Sequence, residues 1–137
     1  MTTEHRGQPA GSVYDWYKRG LALLRSGNPA AAALLLTRAH SVEPESRSIR
    51  EALARAQFDS RQYQASAKTF GSLVDDDPAD DYAHFGLGLA LSRLGEHEIA
   101  HGHLAMAVTM RPAADGYSAA LDRVRETLRM QAEKGGE

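Results

Sequence analysis

The chain has 137 residues, a formal net charge of −2, no cysteine and 42% hydrophobic residues, a size and balance that suit one domain with a modest core. The missing cysteine excludes a disulfide framework, a thiolate metal site and a cysteine nucleophile. No apolar run approaches the roughly 20 residues of a membrane span, no apolar signal segment follows the first residues, and 16 basic against 18 acidic residues give no bulk attraction to nucleic acid; a cytoplasmic protein with neither membrane nor nucleic acid as partner is expected.

Ala and Leu together number 38 against 7 for Val and Ile, which predicts helices and disfavours a β-sandwich or barrel. Residues 1–12, rich in Gly and polar side chains, read as a tail. Ser12 with Asp15 three residues on forms a capping pair for a helix over 13–26. Asn28-Pro29 reads as an N-cap followed by proline at the first helical position, opening a helix over 29–42. Further helices are predicted over 47–59, 62–75, 81–93 and 96–109, with Asp80 or Asp81 capping the fifth. A seventh, over 115–132 and capped by Asp115, has an apolar side (Tyr117, Leu121, Val124, Leu128) and a charged one (Asp122, Arg125, Glu126, Arg129), as the end of a helical stack requires. Residues 133–137 read as a second tail.

Pro44, Pro78 and Pro112 are each 34 residues apart, a period that marks a repeat architecture. Laid out as 13–46, 47–80 and 81–114, the chain puts Gly20, Ala54 and Gly88 in one column and Ala39, Leu73 and Ala107 in another. Gly27 and Gly95 share the column where a helix stops and the chain turns through positive φ; Arg61 stands there in the middle repeat, at a cost of about 1 kcal/mol relative to glycine. The first repeat adds Trp16, Ala32 and Pro44, the third Leu87, Ala100, Leu104 and Pro112, and the second Leu53, Tyr63, Phe70 and Pro78. On these residues the segment 13–114 resembles the tetratricopeptide repeat family, with Ser66 and Leu73 replacing that family's usual alanines in the second repeat. The resemblance implies an all-α fold, a right-handed α-α superhelix of seven helices, with 13–132 as the repeat domain and 115–132 as its cap. It also implies a non-enzymatic adaptor or scaffold that binds a peptide or helix of another protein on a concave face lined by the first helix of each pair.

In that register the concave strip takes Tyr14, Tyr17, Lys18, Leu21, Leu24 and Arg25 from the first repeat, and Ser48, Glu51, Ala52, Arg55, Phe58 and Asp59 from the second. The third contributes Tyr82, Phe85, Gly86, Leu89, Ser92 and Arg93, and the capping helix Ala119 and Arg123. Five cations (Lys18, Arg25, Arg55, Arg93, Arg123) against two acids (Glu51, Asp59) favour an acidic or mixed acidic–apolar partner segment. Tyr14, Tyr17, Tyr82 and Phe85 near the two ends, with Phe58, are the expected apolar anchors, and Gly86 is expected to leave room beside Phe85 for a ligand side chain. Chaperone-binding members of the family clamp a terminal carboxylate with Lys, Asn and Arg at fixed positions. The matching positions here hold Tyr17, Leu21, Ala52, Tyr82 and Gly86, so an acidic segment would be held in another geometry by Lys18, Arg25, Arg55 and Arg93.

His97-Glu98-Ile99-Ala100-His101 matches the H-E-x-x-H pattern of zinc peptidases. The repeat explains the same residues, with His97 at the turn position, Ala100 at the packing position and His101 facing the next helix. Glu126, the best third ligand, is expected to point toward the groove, so the ligands do not converge and only adventitious binding through His97, His101 and His103 remains. The acidic run from Asp75 to Asp81 has Asp80 and Gly86 where a calcium loop needs its sixth-position Gly and twelfth-position Glu, and reads as helix caps and a solvated turn. No catalytic residue, metal or cofactor is expected. Leu34 and Leu35 make Leu34-Leu35-Leu36 wider than one buried stripe, which points to packing by the tail or to a homodimer contact. Gly71, Gly86 and Gly102 lie inside helices, each at a cost of about 0.5–1 kcal/mol relative to alanine.

Overall fold

The computed structural model describes residues 11–136, which form seven helices and no strand. In chain order they are α1 (Val13–Arg25), α2 (Pro29–Val42), α3 (Arg47–Asp59), α4 (Tyr63–Asp76), α5 (Asp81–Arg93), α6 (His97–Met110) and α7 (Tyr117–Gly135). Residues 1–10 and 137, parts of the expected tails, lie outside the described residues. Two expectations about α7 are corrected. Gly116, in the left-handed region at φ 85°, is its N-cap in place of Asp115, and residues 133–135 are helix rather than tail. Among the described residues no helix is long and apolar enough to cross a membrane.

Helices α1, α3 and α5 begin with side-chain caps at the repeat starts. Ser12, Ser46 and Asp80 each accept the backbone N–H of the residue three further on, Ser12 in a full capping box with Asp15. The even-numbered helices lack this bond. Asn28 does not cap α2 as expected, because its side-chain amide turns back to the Ser26 hydroxyl at 3.0 Å.

Each helix packs on its neighbours in sequence, and α1, α3, α5 and α7 also touch one another in succession, whereas α2, α4 and α6 do not. The odd helices are thus drawn together on one side and the even helices splayed on the other, so the stack curves with the odd helices on its concave face. Small residues set the approach within each pair. A Cβ on Gly20 would stand 2.7 Å from Leu36, and one on Gly88 2.6 Å from Leu104, both of these leucines being fully buried. In the middle pair Ala54 takes the glycine column, and Ser66 faces it, donating its hydroxyl to the Ala54 carbonyl at 2.9 Å. That buried bond satisfies the serine that departs from the family's alanine.

The acidic turn is consumed by the fold. Arg50, 7% exposed, pairs with Asp76 at 2.7 Å and donates to the Ser72 hydroxyl. Asp80 caps α5 and pairs with Arg47, while Asp81 accepts from the Tyr117 hydroxyl at 2.7 Å and pairs with Arg111 at 3.4 Å.

Backbone conformation makes one set of stability predictions. Gly27 and Gly95 turn at φ 82° and 84°, and Arg61 is forced to 66° at the same position, a region that costs a residue with a Cβ about 1 kcal/mol or more. Gly71 and Gly102 lie in helices where an added Cβ would meet nothing within 4 Å. Arg61→Gly, Gly71→Ala and Gly102→Ala are therefore each expected to raise the unfolding free energy by about 0.5–1 kcal/mol, read as a higher urea midpoint at unchanged slope.

Candidate functional site

On the concave face Arg55, Phe58 and Asp59 of α3 oppose Tyr82, Phe85, Gly86 and Leu89 of α5, and Phe70 of α4 closes the cavity between them, about 150 Å³ in volume. Phe70 is missing from the strip read off the sequence because it belongs to an even helix. It reaches the concave side through Gly86, where a Cβ would come within 2.3 Å of the Phe70 ring. The room at Gly86 expected for a ligand side chain is thus filled by Phe70, and the free volume lies beside it. Tyr82 meets Phe70 edge-on at 6.0 Å, and Phe85 stacks on Tyr117 at 4.5 Å, so both anchors are braced by the core.

The expected cations do not gather here. Arg55 alone among them lines the cavity. Arg93 lies over Phe58 and Tyr63 at 5.2 and 5.5 Å and donates to the Tyr63 hydroxyl at 2.8 Å, which ties it to the α3–α4 end. Lys18 occupies the column in which Ala52 packs on Ala32, Ala33 and Leu36 and Gly86 on Phe70, contacts with the preceding repeat. Among the described residues no helix precedes α1, so Lys18 is exposed at the end of the stack, 5.2 Å from the Tyr14 ring. Arg25 and Arg123 are also exposed. Around the cavity Arg55 is balanced by acids. Burial, Glu51 and Asp59 push the Tyr82 hydroxyl above its ordinary value while Arg55 opposes them. Burial, and then Asp80, likewise raise the Glu51 carboxyl.

A second cleft of about 290 Å³ opens where the N-terminal turns of α1 and α3 meet the α2–α3 turn, lined by Val13, Tyr14, Tyr17, Glu43, Ser46, Ser48 and Ile49. Tyr14 is 65% exposed, whereas Tyr17 is half-buried and packed on the core. The two leucines of α2 also part company. Leu34 is 75% exposed, but Leu35 packs against the cluster of Trp16, Ala39 and Ile49. One exposed leucine is the ordinary state of a protein surface.

Three of the residues weighed as metal ligands are engaged in other contacts. His101 Nε2 accepts from Arg125 at 3.4 Å, the Glu126 carboxylate is held by Arg129, and His103 faces His84. Among the described residues no three His, Asp or Glu side chains are placed to hold a metal.

The sequence reading overlooks His84, which occupies the column of Trp16 and Arg50 and is 5% exposed. Its Nε2 lies 2.8 Å from the Pro78 carbonyl. A carbonyl only accepts, so the proton sits on Nε2 and Nδ1 is left as an acceptor. His103 Nδ1, 3.0 Å away, must then donate, and the pair has room for one proton between its facing nitrogens. Burial and the neighbouring His84 hold the His103 imidazole below its ordinary 6.5. A histidine depressed in the folded state binds its proton more readily when unfolded. Its contribution to stability is full above about pH 6.5 and is lost as pH falls through the lower folded value. Urea midpoints are expected to decline as pH falls below about 6.5, and the decline to shrink in His103→Leu, which carries the residue of the first repeat's α2.

Residues 23–87 match the family model described as tetratricopeptide repeat. No curated protein matches the sequence. Among solved structures the chain is similar to the TPR domain of Sgt2 from Aspergillus fumigatus, with TM-score 0.81 and 21% identity over 94% of this chain and 86% of that one. It is similar to MamA of MSR-1, with TM-score 0.78 and 21% identity over 90% and 71%. It is also similar to the first TPR of Spaghetti (RPAP3) bound to the HSP90 peptide SRMEEVD, with TM-score 0.79 and 15% identity over 85% and 93%. The 34-residue register, the curved stack of helix pairs and the family match place residues 23–87 in the tetratricopeptide repeat family and give the seven helices that family's fold.

Proposed function

We propose that the chain is a non-enzymatic adaptor that binds a mixed acidic–apolar segment of another protein on its concave face. The observation that carries this reading is the cavity itself, which has aromatic walls and one arginine. A void of about 150 Å³ accommodates a group the size of benzene, so a leucine or phenylalanine side chain fits. Arg55, half-buried and without an ion pair among the described residues, offers its fork of N–H donors to a carboxylate beside that side chain. The family and the peptide-bound neighbour support peptide binding in general. The acid here is assigned to Arg55, since none of Tyr17, Leu21, Ala52, Tyr82 and Gly86 supplies a carboxylate clamp.

The test is selection of random peptides displayed on phage against the chain and against Arg55→Glu. Enrichment of an apolar residue next to Asp or Glu is expected, with the acidic preference lost on the variant. No enrichment, or an acidic preference that survives in Arg55→Glu, contradicts the proposal.

A further inference from the structure

We propose that the partner segment is extended, carries two apolar anchors about three residues apart with a carboxylate beside the second, and lies with the first anchor in the cleft at Tyr14 and Ser48 and the second in the cavity at Tyr82. This rests on the reading of the concave face as a protein-binding site and adds to it the form of the ligand.

Two separate openings lie on this side of the stack, and α3 contributes to both, with Ser48 at the first and Arg55 at the second. These residues are two helical turns apart on α3, about 10 Å at about 1.5 Å per residue. An extended chain covers that distance in about three residues at about 3.3 Å each. A helical ligand, rising about 1.5 Å per residue, would need about seven, and its width of about 10 Å would keep its backbone out of openings of one side-chain size.

Charge then narrows the chemistry. Glu43 borders the first opening, and Glu51, one turn before Arg55 on α3, lies between the two. Asp59 stands one turn after Arg55 at the rim of the second. Neither Glu43 nor Glu51 has an ion pair among the described residues. A run of acidic residues would be repelled along this track, and only the position facing Arg55 welcomes a carboxylate. The segment is therefore twice apolar and singly acidic, distinct from a polyacidic tail.

The probe is a set of fluorescein-labelled decapeptides of Gly and Ser carrying two leucines at spacings from one to seven residues, with Glu beside the second, read by fluorescence anisotropy. The tightest binding is expected at spacings of three and four, about tenfold above the one-leucine control. Ser48→Phe, which fills the first opening from an exposed position, should reduce the two-leucine peptide to the control, and replacing the Gly-Ser background by Glu should weaken binding. Circular dichroism confirms that the variant is folded. Affinity independent of spacing but lost in Arg55→Glu overturns the two-anchor ligand and leaves the concave site standing. Tightest binding at seven overturns the extended form in the same way. Absence of binding by every member, control included, overturns the concave site as well.

Discussion

Gly86→Ala is expected to lower the unfolding free energy by about 1–3 kcal/mol, although alanine is the better helix former by about 1 kcal/mol. The three atoms nearest the added methyl all belong to Phe70, the closest at 2.3 Å, and Phe70 is only 2% exposed, so the ring must leave its packed position and can yield only toward the cavity it lines. Phe70→Ala should itself cost about 3–5 kcal/mol. In that background the methyl at position 86 enters the space the ring has left, and Gly86→Ala is expected to be neutral or stabilising. Urea unfolding of the two single variants and the double variant gives the coupling directly. Equal cost of Gly86→Ala with and without Phe70 would show that the ring does not occupy the glycine's space. Gly71 and Gly102, which face open solvent, supply the contrast: the same substitution, with the opposite sign.

The second large effect concerns binding. Arg55→Glu is expected to weaken a selected acidic–apolar peptide by about tenfold or more, since it removes the donor fork and adds a third acid beside Glu51 and Asp59. Arg55→Lys should recover part of the affinity, keeping the charge but losing the bidentate geometry. Tyr82→Ala removes a wall of the cavity and should weaken the same peptide by a similar factor. Titration calorimetry at fixed salt measures all three. Arg93→Glu is the discriminating control: its guanidinium is occupied by Phe58 and Tyr63, so the substitution should move stability more than affinity. A larger loss of affinity from Arg93→Glu than from Arg55→Glu would transfer the anion site to the α3–α4 end.

The helices and the concave strip were legible because the pattern that builds them is local and periodic. The three prolines at a 34-residue spacing, the small residues of the packing columns and the turn glycines each act within one repeat. What escaped depends on which side chain fills a gap. Gly86 announces a vacancy in the sequence, but only the packing of α4 on α5 shows that Phe70 takes it. Five cations share the strip's columns, yet Arg93 finds two rings and Lys18 lies on a terminal face, so only Arg55 remains at the cavity. His84 shares a column with Trp16 and Arg50, residues that differ in size and charge and do not foretell a histidine pair, and its partner His103 lies on another helix. The length of α7 had a signal that was available. Arg129 stands 34 residues after Gly95, where the earlier repeats turn, and without that glycine the helix continues to Gly135.

The most direct measurement is the amide chemical-shift map of the isotope-labelled chain on titration with a selected peptide. The largest shifts are expected at Arg55, Phe58, Tyr82, Phe85 and Leu89 of α3 and α5, the lining of the cavity. Shifts concentrated instead on the convex helices, at Leu34 of α2 or Ile99 and Met106 of α6, which are exposed there, would contradict binding on the concave face.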